Sequence, residues 1–137
     1  MIKSKYFYLP KRFIMNHNEY KFFRLLNLAL GYKYSIIPQV HLDELARPES
    51  KGESRIFSLR HINQKSVDFV ICNKNSMHPL LAIELDGDSH KSKIYVGRDE
   101  EVVRILGEAK IPLKRFNNDS YPNSVELGKQ IEEAILK

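Results

Sequence analysis

Apolar and aromatic positions follow a helical pattern near the beginning of the chain. They are dense from Phe22 to Leu30, on a face broad enough for a helix that packs against a sheet. The preceding segment, Asn16-His-Asn-Glu19, has the residue types of a capping box, in which each end residue's side chain accepts from the other's backbone amide. Gly31 is a natural terminator. The pattern therefore predicts a first helix between these two signals.

Shorter apolar runs of strand length follow. Residues 34–42 are rich in aromatic and β-branched types, and Pro38 pushes this strand towards a sheet edge or a bulge. Residues 66–73 and 79–86 are two further apolar runs, and the polar connection between them is typical of a β-hairpin. We therefore expect three strands here, of which the last two are adjacent and antiparallel.

The second half of the chain alternates helix and strand patterns. Asp99-Glu100-Glu101 predicts the acidic first turn of an amphipathic helix, residues 111–116 a strand, and Asn123 to Glu126 a second capping box before a closing helix. Residues 43–63 have little regular pattern and are either a solvated loop or a flexible basic arm. The order helix, strand, strand, strand, helix, strand, helix predicts an α/β fold with a mixed sheet flanked by helices.

Length and composition indicate one domain. The 137 residues suffice for a single core, which we expect over residues 16–137, after a basic and aromatic arm at 1–15. No apolar run approaches the roughly 20 residues of a membrane span, so no membrane partner is expected. The single cysteine, Cys72, lies in a strand-like run and is expected in the core; its isolation suits a reducing compartment and a cytoplasmic protein.

The charge balance favours acidic partners. The chain has a net charge of +5 and a sequence pI near 9.3. Nucleic acid is the commonest acidic partner inside a cell. Charge alone does not separate nucleic-acid binders from other basic domains, so the chemistry has to come from particular residues.

Three acidic residues lie within the predicted hairpin. Asp68 stands among strand-forming residues, where a carboxylate is costly unless something pairs with it. Glu84 and Asp86 are two apart in a strand and so share one side of the sheet. If the hairpin register brings Asp68 beside Glu84, three carboxylates surround one point, which favours Mg²⁺ or Mn²⁺. The competing interpretation is that these acids merely end strands and face water.

Ordered segments of the chain resemble a known family, the uncharacterised domain of unknown function 2726. They are Lys65-x-x-Asp68-Phe-Val, Ile83-Glu-Leu-Asp-Gly-x-x-His90, Arg98-Asp99 and Ile111-Pro-Leu-x-Arg-Phe116, and the similarity spans roughly residues 14 to 116. That family is assigned to the PD-(D/E)XK superfamily, alongside relatives of the very short patch repair endonuclease. The resemblance implies a restriction-endonuclease-like fold, with Asp68 and Glu84 as metal-binding acids and the Leu85 backbone carbonyl as a further ligand.

The sequence departs from the superfamily pattern at one position. Asp86 occupies the place of the usual lysine, and we interpret it as a third ligand or as a general base acting through water. Lys65 should point to the opposite face unless a bulge turns it, and Lys114 is another candidate for the missing cation. His90 is a proton shuttle, an extra ligand or a surface histidine. Glu19 either supports the site or only caps its helix.

These observations together predict a Mg²⁺-dependent endonuclease that hydrolyses nucleic-acid phosphodiester bonds, with DNA as the expected substrate. Backbone contacts are expected from segment 47–61 and from Lys91, Lys93, Arg98 and Lys114. The alternatives are a catalytically inactive nuclease-fold module that binds nucleic acid or a partner protein, and a small phosphohydrolase that acts on nucleotides. Oligomeric state stays open, although a homodimer would let two sites address opposite strands.

Overall fold

The architecture comes from a computed structural model that describes residues 5–49, 52–62, 64–87 and 93–137; the side chains of residues 53, 55, 58, 61 and 93–99 lie outside the description. The elements in chain order are α1 (His17–Leu30), β1 (Tyr34–His41), a 3-10 helix (Leu42–Glu44), α2 (Glu53–Ile62), β2 (Ser66–Asn73), β3 (Pro79–Asp86), α3 (Lys93–Glu108), β4 (Leu113–Asn117) and α4 (Ser124–Leu136).

The four strands form one mixed sheet in the order β1-β2-β3-β4. β2 pairs antiparallel with both β1 and β3, whereas β4 runs parallel to β3 after the crossover through α3. The predicted hairpin, crossover and mixed α/β sheet are therefore confirmed. Pro38 lies in an edge strand, where its missing backbone amide is tolerated.

The first helix begins at the predicted capping box. The Glu19 amide donates to Asn16 Oδ1 at 2.8 Å, and the Asn16 amide donates to Glu19 Oε1 at 3.0 Å. Helix α4 begins with one of the two bonds of its predicted capping box: the Glu126 amide donates to Asn123 Oδ1 at 3.0 Å. Local hydrogen bonding therefore fixes where both outer helices start.

Two predictions about helices are wrong. Residues 43–63 are neither a plain loop nor an arm, because they contain the 3-10 helix and α2; α2 is only weakly amphipathic, so its pattern did not predict a helix. Helix α3 begins at Lys93 and not at the acidic run, so Asp99 lies inside the helix and does not cap it. Acidic residues favour a first turn but do not define one.

Two apolar layers cover the sheet. α1 and α4 pack on one face around Phe22, Leu26, Phe69 and Leu127, while the other cluster joins strand residues to α3. Cys72 is buried in the second cluster, as expected, and burial raises the pKa of its thiol. Within the described ranges, no helix has both the length and the apolarity needed to cross a bilayer.

Candidate metal centre

Strands β2 and β3 stop pairing at the point where their acidic residues stand. The backbone register runs from Cys72–Pro79 to Phe69–Ile83, and the next position brings Asp68 level with Glu84. There the Leu85 amide donates to Asp68 Oδ2 at 2.7 Å. Here the Asp68 side chain, and not a main-chain carbonyl, accepts from the β3 backbone, and this bond fixes the orientation of the Asp68 carboxylate.

Asp68 and Glu84 form a hydrogen-bonded carboxyl pair. Burial is the main cause that raises the pKa of Glu84 to about 9, and the negative charge of Asp68 adds to it. Two carboxyl groups can share a hydrogen bond only when one of them is protonated. The pair therefore holds one proton between Asp68 and Glu84 at neutral pH when no cation is present.

Opposing contacts act on the other member of the pair. Burial raises the pKa of Asp68, while the hydrogen bonds from the Leu85 amide and from Glu84 lower it. The charges of Glu19 and Asp86 raise it further. Asp68 is therefore a partly buried acid surrounded by other acids, and a positive charge there would relieve the repulsion.

The third predicted acid is held by an arginine. Asp86 Oδ2 lies 3.2 Å from Arg115 Nη1, and the β3–β4 register places Arg115 beside Glu84. In the part of the chain that is described, no group of three or more His, Cys, Asp or Glu side chains is arranged around one metal position. The structure therefore shows Asp68 and Glu84 as a pair. The third acid, Asp86, lies near enough for its negative charge to raise the pKa of Glu84.

The donor chemistry of the pair suits a hard divalent cation. Asp68 and Glu84 offer carboxylate oxygens, and Mg²⁺ commonly binds through one or two carboxylates with water and substrate phosphate completing its shell. The Leu85 amide contacts Asp68, whereas the predicted role of its carbonyl as a ligand stays a prediction. Thiolate and imidazole, which favour zinc, have no part in this pair.

Gln39 and Glu19 border the pair on the side of β1. Gln39 stands between the register pairs Pro38–Phe69 and Val40–Val67, level with Asp68, and has a φ of 52°, which is uncommon for a residue other than glycine. Its side-chain amide donates to Glu19 Oε2. Glu19 therefore caps α1 with one oxygen and holds Gln39 with the other.

One polar row thus crosses all four strands, formed by Gln39, Asp68, Glu84 and Arg115. Sequence analysis missed Gln39 and Arg115 as site residues. Arg115 lies in a segment that resembles the family, but the place of both residues in the site depends on strand register. A parallel alignment of β3 with β4 would have identified Arg115.

Of the remaining predicted residues, two lysines contact Phe116 and Glu101, and the others lie outside the description. Lys114 Nζ is 5.7 Å from the centre of the Phe116 ring, and Phe116 belongs to the core beneath α1 and α4. Lys65 Nζ is 3.2 Å from Glu101 Oε2 on α3. His90 and Lys91 lie outside the described residues, as do the side chains of Lys93 and Arg98.

The metal-free protein should lose stability as the pH rises. The pKa of Glu84 is about 9 in the folded state and near its ordinary value of 4.5 when unfolded, so between these values the folded state holds more protons. The free energy of unfolding therefore falls across this window, and we expect a loss of about 4 kcal/mol between about pH 5 and pH 8. Urea unfolding in EDTA measures it. Glu84→Gln should flatten the curve, and an equally steep curve for that variant would contradict the assignment.

Fold and site together define an α/β protein with a half-buried carboxyl pair on two adjacent strands, β2 and β3, of a mixed sheet. The chain belongs to the family described as protein of unknown function DUF2726, whose model matches residues 11–135. This match confirms the family resemblance and extends it beyond the segments noted in the sequence. No curated protein and no solved structure matches the chain.

Proposed function

We propose that the chain is a metal-dependent nuclease of the PD-(D/E)XK superfamily, with Asp68 and Glu84 as the acids that hold Mg²⁺ or Mn²⁺ and DNA as the substrate. The observation that carries this proposal is the placement of Asp68 and Glu84 side by side on two adjacent strands, where burial raises the pKa of both carboxyl groups. The mixed sheet with its helical crossover agrees with a restriction-endonuclease-like fold. The net charge of +5 suits a polyanionic substrate.

Several residues of the chain have separate roles at this site. When bound, a divalent cation supplies positive charge that holds a phosphate and activates water. The Leu85 amide keeps Asp68 oriented, and Glu84 gives up its proton when a cation replaces it. Asp86, whose carboxylate is partly exposed, is placed to accept a proton from the attacking water.

Arg115 supplies the positive charge that the superfamily's lysine would otherwise provide. It donates to Asp86 and lowers the pKa of Glu84, so its charge acts at the carboxyl pair. A guanidinium group presents several donors in a fixed plane and binds phosphate oxygens well. We therefore assign Arg115 to the scissile phosphate, with Asp86 holding it in position.

Arg115→Gln should separate metal binding from turnover. We expect cleavage to fall about 100-fold, because a preorganised donor to the developing charge is lost. The affinity for Mn²⁺ should stay equal or increase, because a neighbouring positive charge is removed. Arg104→Gln is the matched control, since Arg104 forms a surface ion pair with Glu108 on α3. Unchanged cleavage by Arg115→Gln would remove this residue from the mechanism.

The proposal as a whole is tested by incubating the protein with supercoiled plasmid, single-stranded DNA and branched DNA in Mg²⁺ or Mn²⁺, with RNA of matching sequence alongside. Nicked or shortened products that depend on the metal support it, provided that Asp68→Asn abolishes them. Asp119→Asn, an exposed acid outside the site, should leave them unchanged. A folded protein that cleaves none of these substrates would refute the nuclease assignment.

The ion pair between Asp86 and Arg115 favours a second candidate function. Because this pair neutralises the acid at the position of the usual lysine, the site would also suit a nuclease-fold module that binds nucleic acid or a partner protein without turnover. Such a module binds DNA equally well in EDTA and in Mn²⁺. Retained binding without cleavage in any metal would select this alternative.

A further inference from the structure

The segment before the first helix is extended and rich in exposed rings. Residues 5–15 form no helix or strand. Phe7, Tyr8 and Phe13 expose 95%, 86% and 70% of their surface, and Leu9 and Ile14 are exposed between them. Arg12 places its guanidinium carbon 5.4 Å from the centre of the Phe13 ring. We call residues 5–14 the arm.

The positive charge of the protein is concentrated in and just before the arm. Lys3, Lys5, Lys11 and Arg12 precede the first acidic residue, Glu19. Residues 1–18 therefore supply four of the five net positive charges. A second copy of this chain would offer the arm no surplus of negative charge, because the remaining residues are almost neutral overall. A polyanion is the better electrostatic complement.

A groove joins the arm to Glu19 and Gln39, the two residues that border the carboxyl pair. It has a volume of about 570 Å³, with Lys11, Arg12 and Phe13 on one wall and Glu19 and Gln39 on the other. Gln39 stands level with Asp68 in the β1–β2 register, and the charge of Glu19 acts on Asp68. A polyanionic strand that binds along the arm is therefore directed towards the carboxyl pair.

We propose that the arm is a clamp for unpaired DNA, in which Phe7, Tyr8 and Phe13 stack on bases while Lys5, Lys11 and Arg12 contact phosphates. Surfaces that bind single strands combine basic residues with exposed aromatic rings. Duplex bases are already stacked on each other and offer these rings no face, so a single-stranded segment is the favoured occupant. The proposal rests on the nuclease function and deepens it, because it makes single-stranded or branched DNA the preferred substrate.

Binding is measured without cleavage by fluorescence anisotropy in EDTA. The probes are a labelled oligothymidine of about 12 nucleotides and a hairpin duplex of matched length. The triple variant Phe7→Ala/Tyr8→Ala/Phe13→Ala should weaken oligothymidine binding by at least about 100-fold, since each stacked ring contributes about tenfold or more. Hairpin binding should change by less than about threefold, since phosphate contacts remain.

Two further variants separate stacking from charge. Tyr32→Ala is the matched control, because Tyr32 is 77% exposed just beyond the other end of α1. It should leave oligothymidine binding unchanged. Lys5→Gln/Lys11→Gln/Arg12→Gln should reduce the slope of log affinity against log salt by about 2, at about 0.7 for each phosphate contact.

Several outcomes overturn the clamp. Oligothymidine binding by the ring variant within about threefold of wild type would do so. So would a change from dimer to monomer in that variant with DNA affinity intact, since the rings would then serve a second copy. Ring-dependent binding by a protein that cleaves nothing would support the clamp and refute the nuclease. Cleavage with ring-independent binding would support the nuclease and refute the clamp.

Discussion

Glu84→Gln is expected to lower the cleavage rate by at least about 1000-fold while the protein stays folded. Glutamine has the shape of protonated glutamic acid, so it preserves the hydrogen bond to Asp68 seen in the metal-free pair. It cannot supply the negative charge that binds the cation. The measurement is the single-turnover rate of cleavage of plasmid or single-stranded DNA at saturating Mg²⁺.

The same experiment includes a test for joint action by the two acids. Asp68→Asn should cause a loss similar to that of Glu84→Gln, and the double variant should be no worse than either, because the residues act as one unit. A rate for Glu84→Gln close to that of the wild type would contradict the assignment. So would losses that multiply in the double variant, since independent contributions would then explain them better.

Phe22→Ala is expected to lower the free energy of unfolding by about 4 kcal/mol. The Phe22 ring is fully buried on the inner face of α1, with centroids 5.6 Å from Phe69, 5.5 Å from Phe116 and 5.0 Å from Tyr121. Its removal opens a cavity where α1 meets the sheet and the segment before α4. Urea unfolding followed by circular dichroism gives the value.

An exposed ring provides the control for this prediction. Phe57 on α2 is 67% exposed, so Phe57→Ala should change the free energy of unfolding by no more than about 0.5 kcal/mol. A loss below about 1 kcal/mol for Phe22→Ala would show that the aromatic contacts do not hold α1 against the sheet. The arrangement of Glu19 over Gln39 depends on that packing, because both α1 and β1 are positioned by it.

The strands and outer helices could be predicted because their signals are local. The hairpin strands begin and end where runs of apolar residues give way to polar ones, and the capping box of α1 needs only Asn16 and Glu19. Helix α2 was missed because few of its positions distinguish a buried face. The start of α3 was placed too late because its first turn, which begins at Lys93, contains no acidic residue.

The acids of the candidate site were predictable, whereas their partners were not. Asp68 and Glu84 stand out because carboxylates are rare in strands that are otherwise apolar. Arg115 becomes part of the site only through the parallel register of β4 with β3. Gln39 does so through a left-handed backbone conformation that the neighbouring sequence does not predict. For both residues, the pairing of strands in the folded protein decides whether they belong to the site.

Binding of Mn²⁺, followed by titration calorimetry, tests most directly whether the carboxyl pair is a cation site. We predict one ion bound by the wild type and by Asp119→Asn, and loss of that binding in both Asp68→Asn and Glu84→Gln. Undiminished Mn²⁺ binding by those two variants, or no binding by the folded wild type, would contradict the account.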